Sequence, residues 1–80
     1  MKLPTVSGEE LTYFLKKMGY QVIRQKGSHI RMRKVSEMGE HNITVPNHSP
    51  IAKGTLNDIV SEVSFWNNLS KASLIMIIES

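Results

Sequence analysis

The chain has 80 residues, no cysteine and a formal net charge of +3, which suits one domain with a small core and leaves no room for a dinucleotide-binding fold or a lid over a large pocket. The missing cysteines exclude a disulfide scaffold and thiolate chemistry, and they are compatible with a reducing cytosol. The charge is uneven: residues 1–34 hold eight of the ten Lys and Arg against two acids, and residues 35–80 hold two against five. The modest sum therefore hides either a basic face suited to a phosphate backbone or a plain solvated surface.

Residues 1–6 are a short lead-in in which Pro4 discourages helix and no apolar stretch resembles a secretory signal. Ser7 then starts a helix, because its hydroxyl and the Glu10 carboxylate are spaced for a capping box. Glu9 and Glu10 suit the positive end of the helix dipole, and Lys16 and Lys17 suit the other end. Leu11, Phe14, Leu15 and Met18 form one apolar stripe, and Gly19 ends the helix.

Residues 20–25 are rich in β-formers, and a period of two puts Tyr20, Val22 and Arg24 on one face with Gln21, Ile23 and Gln25 on the other. Lys26, Gly27 and Ser28 form a tight connection, with Gly27 free to take the positive φ of a hairpin turn. The next strand, residues 29–35, puts Ile30, Met32 and Lys34 on one face and His29, Arg31, Arg33 and Val35 on the other. Ile30 and Met32 are expected to face the helices, and His29, Arg31 and Arg33 to face water. Residues 36–40 read as a second hairpin loop. Residues 41–45 form a third strand with Ile43 and Val45 inward, ended by Pro46.

After the loop at residues 47–50, a second helix carries Leu56, Ile59, Val60 and Val63 as its stripe. Gly54 near its start reads as an entry turn or a point of close approach by a partner. Ser64 is expected to cap a further short helix carrying Phe65, Trp66 and Leu69. The apolar run at residues 74–78 is far shorter than the ~20 residues of a spanning helix; a short apolar run fits helix or strand, and helix is the favoured reading for residues 72–78. The expected fold is α+β. A three-stranded antiparallel sheet packs in two layers with its helices on one face, with a C-terminal helical tail appended. The expected organisation is a single domain over residues 1–80, with its core at about 7–63 and an extension at 64–80.

On the uncovered face stands His29, in the most basic run of the chain. An unperturbed imidazole titrates near ~6.5 and can serve as acid or base at neutral pH. Arg31 and Arg33 can stabilise charge on a phosphate, Arg24 and Lys26 can position a backbone, and the amides of Gly27 and Ser28 can form a small anion-binding concavity. The alternative is an exposed strand histidine with no task. His41 reads as a strand residue and His48 as a loop residue. Their spacing with His29 matches no standard zinc pattern, so no metal site is expected.

In family order and spacing, several segments resemble the HicA toxin family of bacterial and archaeal toxin–antitoxin pairs: Ser7-Gly8-Glu9-Glu10, Gly19-Tyr20, Arg24-Gln25-Lys26-Gly27-Ser28-His29, Val45-Pro46 and Lys53-Gly54-Thr55-Leu56. The resemblance covers about residues 7–63. It implies a double-stranded-RNA-binding-domain-like α-β-β-β-α fold, mRNA cleavage that arrests growth, and a HicB-type antitoxin that covers the active histidine. That histidine maps to His29, and the family is not known to require a metal or organic cofactor. Two departures stand out: Asn57, Asp58 and Glu62 make the second helix neutral to acidic, and the tail past Leu69 is longer than usual.

The expectation is therefore a cytoplasmic mRNA interferase without a membrane segment. His29 is its acid/base, Ser28 assists by hydrogen bond, and Arg24, Lys26, Gly27, Arg31 and Arg33 bind RNA. The competing readings are a non-catalytic RNA-binding module on the same face and an interaction domain whose tail drives homo-oligomer assembly.

Overall fold

The computed structural model describes residues 2–79. Ser7 caps α1 (Gly8–Lys17): its Oγ accepts from the Glu10 N–H at 3.0 Å, and the Glu10 carboxylate accepts from the Ser7 N–H at 2.8 Å. Such a reciprocal cap is worth about 1 kcal/mol. Leu11, Phe14 and Leu15 of the apolar stripe are buried, and Gly19 leaves the helix at φ +104°.

Three antiparallel strands follow in the order β1 (Gln21–Lys26), β2 (His29–Ser36) and β3 (Gly39–Pro46). Two-residue turns at Gly27 and Ser28, and at Glu37 and Met38, join them, so β3 begins earlier than the sequence suggested. Ile30 and Met32 of β2 and Ile43 and Val45 of β3 are buried against Leu11 and Leu15 of α1 and against the stripe of α2 (Lys53–Trp66), which is Leu56, Ile59, Val60 and Val63. Both helices lie on that one face, and the fold is α+β in the order α-β-β-β-α.

β1 departs from the expected period of two. Val22 pairs with Met32 but Arg24 pairs with Arg31, so Ile23 is an extra, bulged residue. The bulge reverses the phase of the strand. Val22 and Gln25 share the helix side with Met32 and Ile30, while Arg24 and Lys26 share the open side with Arg31 and His29. The physical reason is a conflict in the sequence. Tyr20 is only 2% exposed, and a strict alternation from it would turn the Arg24 guanidinium inward, where an unpaired charge is costly.

The expected short helix capped by Ser64 does not form. α2 runs through Ser64 to Trp66, and the Ser64 hydroxyl donates to the Leu69 carbonyl instead. Nothing between Val63 and Trp66 breaks a helix; the break comes at Asn67 and Asn68, the latter at φ +52°. α3 (Lys71–Glu79) then forms the tail, with Ser70 Oγ accepting from the Ser73 N–H at 3.0 Å, and it buries Leu74 and Ile75 in the main core.

The lead-in is held by the start of α2. The Ile51 N–H donates to the Val6 carbonyl at 2.8 Å, and the Lys53 ammonium donates to the carbonyls of Leu3 and Pro4 and to the Thr5 hydroxyl. At the N-terminus of α1, a Cβ on Gly8 would stand 2.3 Å from the Pro46 carbonyl oxygen. That close approach lets the Gly8 N–H donate to the His48 carbonyl at 2.8 Å and fixes the loop after β3.

Candidate functional site

The β1–β2 turn is built by Gly27, whose φ of +58° with Ser28 at negative φ is the pattern of a type II′ hairpin turn. The fixed loop after β3 supports it: the Asn47 N–H donates to the Ser28 carbonyl at 2.6 Å. Ser28 is exposed, and a Cβ on Gly27 would meet nothing within 4 Å, so the backbone at the tip is open to a large ligand.

Beside the turn, His29 opens β2 on the uncovered face. Lys26 lies across from it on β1 and Pro46 on β3; two residues further along, Arg31 lies between Arg24 and Thr44. These side chains line an open depression of about 590 Å³ whose lining residues are Arg24, Lys26, His29, Arg31 and Thr44. The Arg31 guanidinium donates through Nη1 to Thr44 Oγ1 at 2.9 Å, which fixes its orientation. Three cations therefore share one depression with an exposed imidazole and no lining carboxylate, an arrangement that favours a polyanion.

Arg33 stands apart from this group. It is four residues beyond His29, roughly 13 Å along an extended strand. Its Nε donates to Asn42 Oδ1 at 2.9 Å and lies 3.3 Å from the Glu40 carboxylate. Its charge is partly offset there, and it faces a position further along any bound strand.

The other two histidines lie outside the depression. His48 is exposed in the loop. His41 is 4% exposed, because it shares its strand parity with Ile43 and Val45; that parity was the sequence signal for its burial. It pairs across the sheet with Lys34, roughly 16 Å along β2 from His29.

Around His41 the structure assembles a polar network that sequence reasoning missed. The Tyr20 hydroxyl is hydrogen-bonded to His41 Nδ1 at 2.6 Å and accepts from Asn67 Nδ2 at 3.0 Å. On the other side of the ring, His41 Nε2 lies 3.4 Å from the Glu62 carboxylate. The Lys34 ammonium donates to Asn67 Oδ1, and the Trp66 indole stacks on His41 at 5.0 Å between centroids. Burial pushes the Tyr20 hydroxyl above its ordinary pKa; the Asn67 hydrogen bond opposes this and the Glu62 charge adds to it. The partners come from four separate segments, so no local spacing announces them.

Among the described residues, no group of three or more His, Cys, Asp or Glu could hold a metal ion, and no helix is long and apolar enough to cross a membrane. Compared with known proteins, residues 8–64 match the family model described as the HicA toxin of bacterial toxin–antitoxin systems. No curated protein and no solved structure matches the chain.

Proposed function

Because the chain belongs to the HicA toxin family of bacterial toxin–antitoxin systems, we propose that it is an mRNA-cleaving ribonuclease whose chemistry takes place at His29. The observation that carries this reading is the grouping of an exposed imidazole with Arg24, Lys26 and Arg31 in one carboxylate-free depression.

The proposed reaction is transesterification within the RNA. The His29 imidazole takes the proton of a ribose 2′-hydroxyl, and the 2′-oxygen attacks the adjacent phosphorus. The P–O bond to the 5′-oxygen of the next nucleotide breaks, and that oxygen leaves with a proton. Arg31, held by Thr44, faces the negative charge that builds on the phosphorane oxygens. Arg24 and Lys26 hold the phosphate backbone, Ser28 offers a hydroxyl beside the imidazole, and the bare backbone at Gly27 allows close approach. Arg33 takes a phosphate further along the strand. One imidazole serves one proton transfer directly and leaves the other to water, so turnover is expected to be slow. The α-β-β-β-α order is the one expected of a double-stranded-RNA-binding-like domain, but the surface used here is the open face of the sheet.

The test is cleavage of end-labelled mRNA by the purified chain in the presence of a chelator. His29→Ala is expected to lose about 100-fold or more in rate, the usual scale of an acid–base group, while still binding RNA. Parental cleavage by that variant would sink the assignment. The second reading, an RNA-binding module without catalysis, is favoured by the depression holding a single imidazole among its lining residues. It predicts a mobility shift with intact RNA.

A further inference from the structure

On the helix side of β1, a groove of about 350 Å³ separates α1 from the sheet. Thr12, Tyr13 and Lys16 of α1 form one wall, Val22 and Gln25 of β1 form the other, and Ile30 lies in the floor. β1, like β3, is an edge strand, so its far edge is unpaired among the described residues. Tyr13 and Val22 are 63% and 39% exposed. Thr12 is 9% exposed and its hydroxyl has no hydrogen-bond partner, a costly state for a polar group closed off from water.

A helix beside a free strand edge is a geometry in which an extended segment can add as a strand and lay alternate side chains between the two. We propose that the β1 edge and this groove receive an extended segment of the cognate antitoxin, one in which apolar and acidic residues alternate. The inference rests on family membership, which implies an antitoxin, and not on the catalytic reading of His29.

The bulge at Ile23 dictates the pattern of the segment. An added strand continues the pleat, so its side chains on the face of Val22 and Gln25 enter the groove and meet Val22 and Tyr13. The intervening side chains lie beside Arg24 and Lys26 on the open face, where carboxylates are complementary. Lys16 adds a third cation at the groove wall, with Glu9 the acid among the lining residues. The same cations argue against a second copy as the occupant. Two β1 edges side by side would set Arg24 and Lys26 of one chain against those of the other, and edge strands carrying cations and a bulge resist self-pairing.

The test is hydrogen exchange on the full chain, free and saturated with its purified antitoxin, together with calorimetric titration of surface variants. The amides of β1 are expected to gain protection in the complex and those of β3 to keep their free rates. Tyr13→Ala, Lys16→Glu and Val22→Glu each alter an exposed or rim position, and each is expected to weaken antitoxin binding by about tenfold or more while keeping the parental thermal unfolding. Unchanged exchange of β1 in a saturated complex would overturn the proposal. So would parental affinity in all three variants, or β1 protection that grows with concentration in the free chain. RNA cleavage is read separately: its absence would remove the catalytic reading and leave this result standing.

Discussion

The Tyr20 hydroxyl is hydrogen-bonded to His41 and accepts from Asn67, so one hydroxyl links the start of β1 to β3 and to the end of α2. Tyr20→Phe keeps the ring and removes the link, leaving His41 Nδ1 without its hydrogen-bond partner in a site that water does not reach. The expected loss is about 1–3 kcal/mol, read by urea unfolding at neutral pH. The hydroxyl also couples stability to alkali. Its folded pKa is raised above 10.0 by burial, so its contribution is complete below that value and is lost as pH rises through the folded value. Above pH 10 the parent is therefore expected to lose stability more steeply than Tyr20→Phe, a difference that parallel unfolding curves would show. His29 differs in kind: it is exposed at the mouth of the depression, and replacing it is expected to change RNA cleavage with little effect on unfolding.

Among the elements, β1 is the one in which a local rule yields to a tertiary demand. Its extra residue lets Tyr20 and Val22 face the helices while Arg24 and Lys26 face water. Deleting Ile23 would join Val22 to Arg24 in an unbroken ladder without changing the face of either. The deletion variant is therefore expected to fold and to retain RNA cleavage, as read by circular dichroism and the labelled-RNA assay. Loss of cleavage in a folded variant would mean that the local twist of the bulge also sets the position of the cations. The first helix shows the opposite case. Its capping box, stripe and closing glycine all act within a few residues, and each is found where its spacing put it.

For the whole molecule, two expectations concern how the parts add. α3 lies beyond the family match, yet it buries Leu74 and Ile75 in the common core. Truncation after Ser70 would expose core surface once covered by two large aliphatic side chains, each worth about 1.5–3 kcal/mol. That is a large share of the ~5–15 kcal/mol typical of a domain. A strong fall in melting temperature is expected; an unchanged melt would mean that α3 is only loosely laid on. RNA binding should depend on salt through counterion release. Each of Arg24, Lys26 and Arg31 replaced by Ala is expected to reduce the slope of log affinity against log salt by about 0.7 for a single strand. Arg33→Ala is expected to change it less, because Glu40 already offsets that charge.

The sequence by itself determined what short-range physics controls: the helix caps, the apolar stripes, the turn at Gly27, and a basic strand face carrying His29 and Arg31. Those features depend on neighbours within one turn or one hairpin, where spacing and geometry are nearly the same thing. Only the tertiary structure decided the phase of β1, the length of α2, and the network joining Tyr20, His41, Glu62 and Asn67. Each of these depends on which distant side chain needs burial, a partner or a charge. That information lies in the packing of segments dozens of residues apart, and no local period carries it.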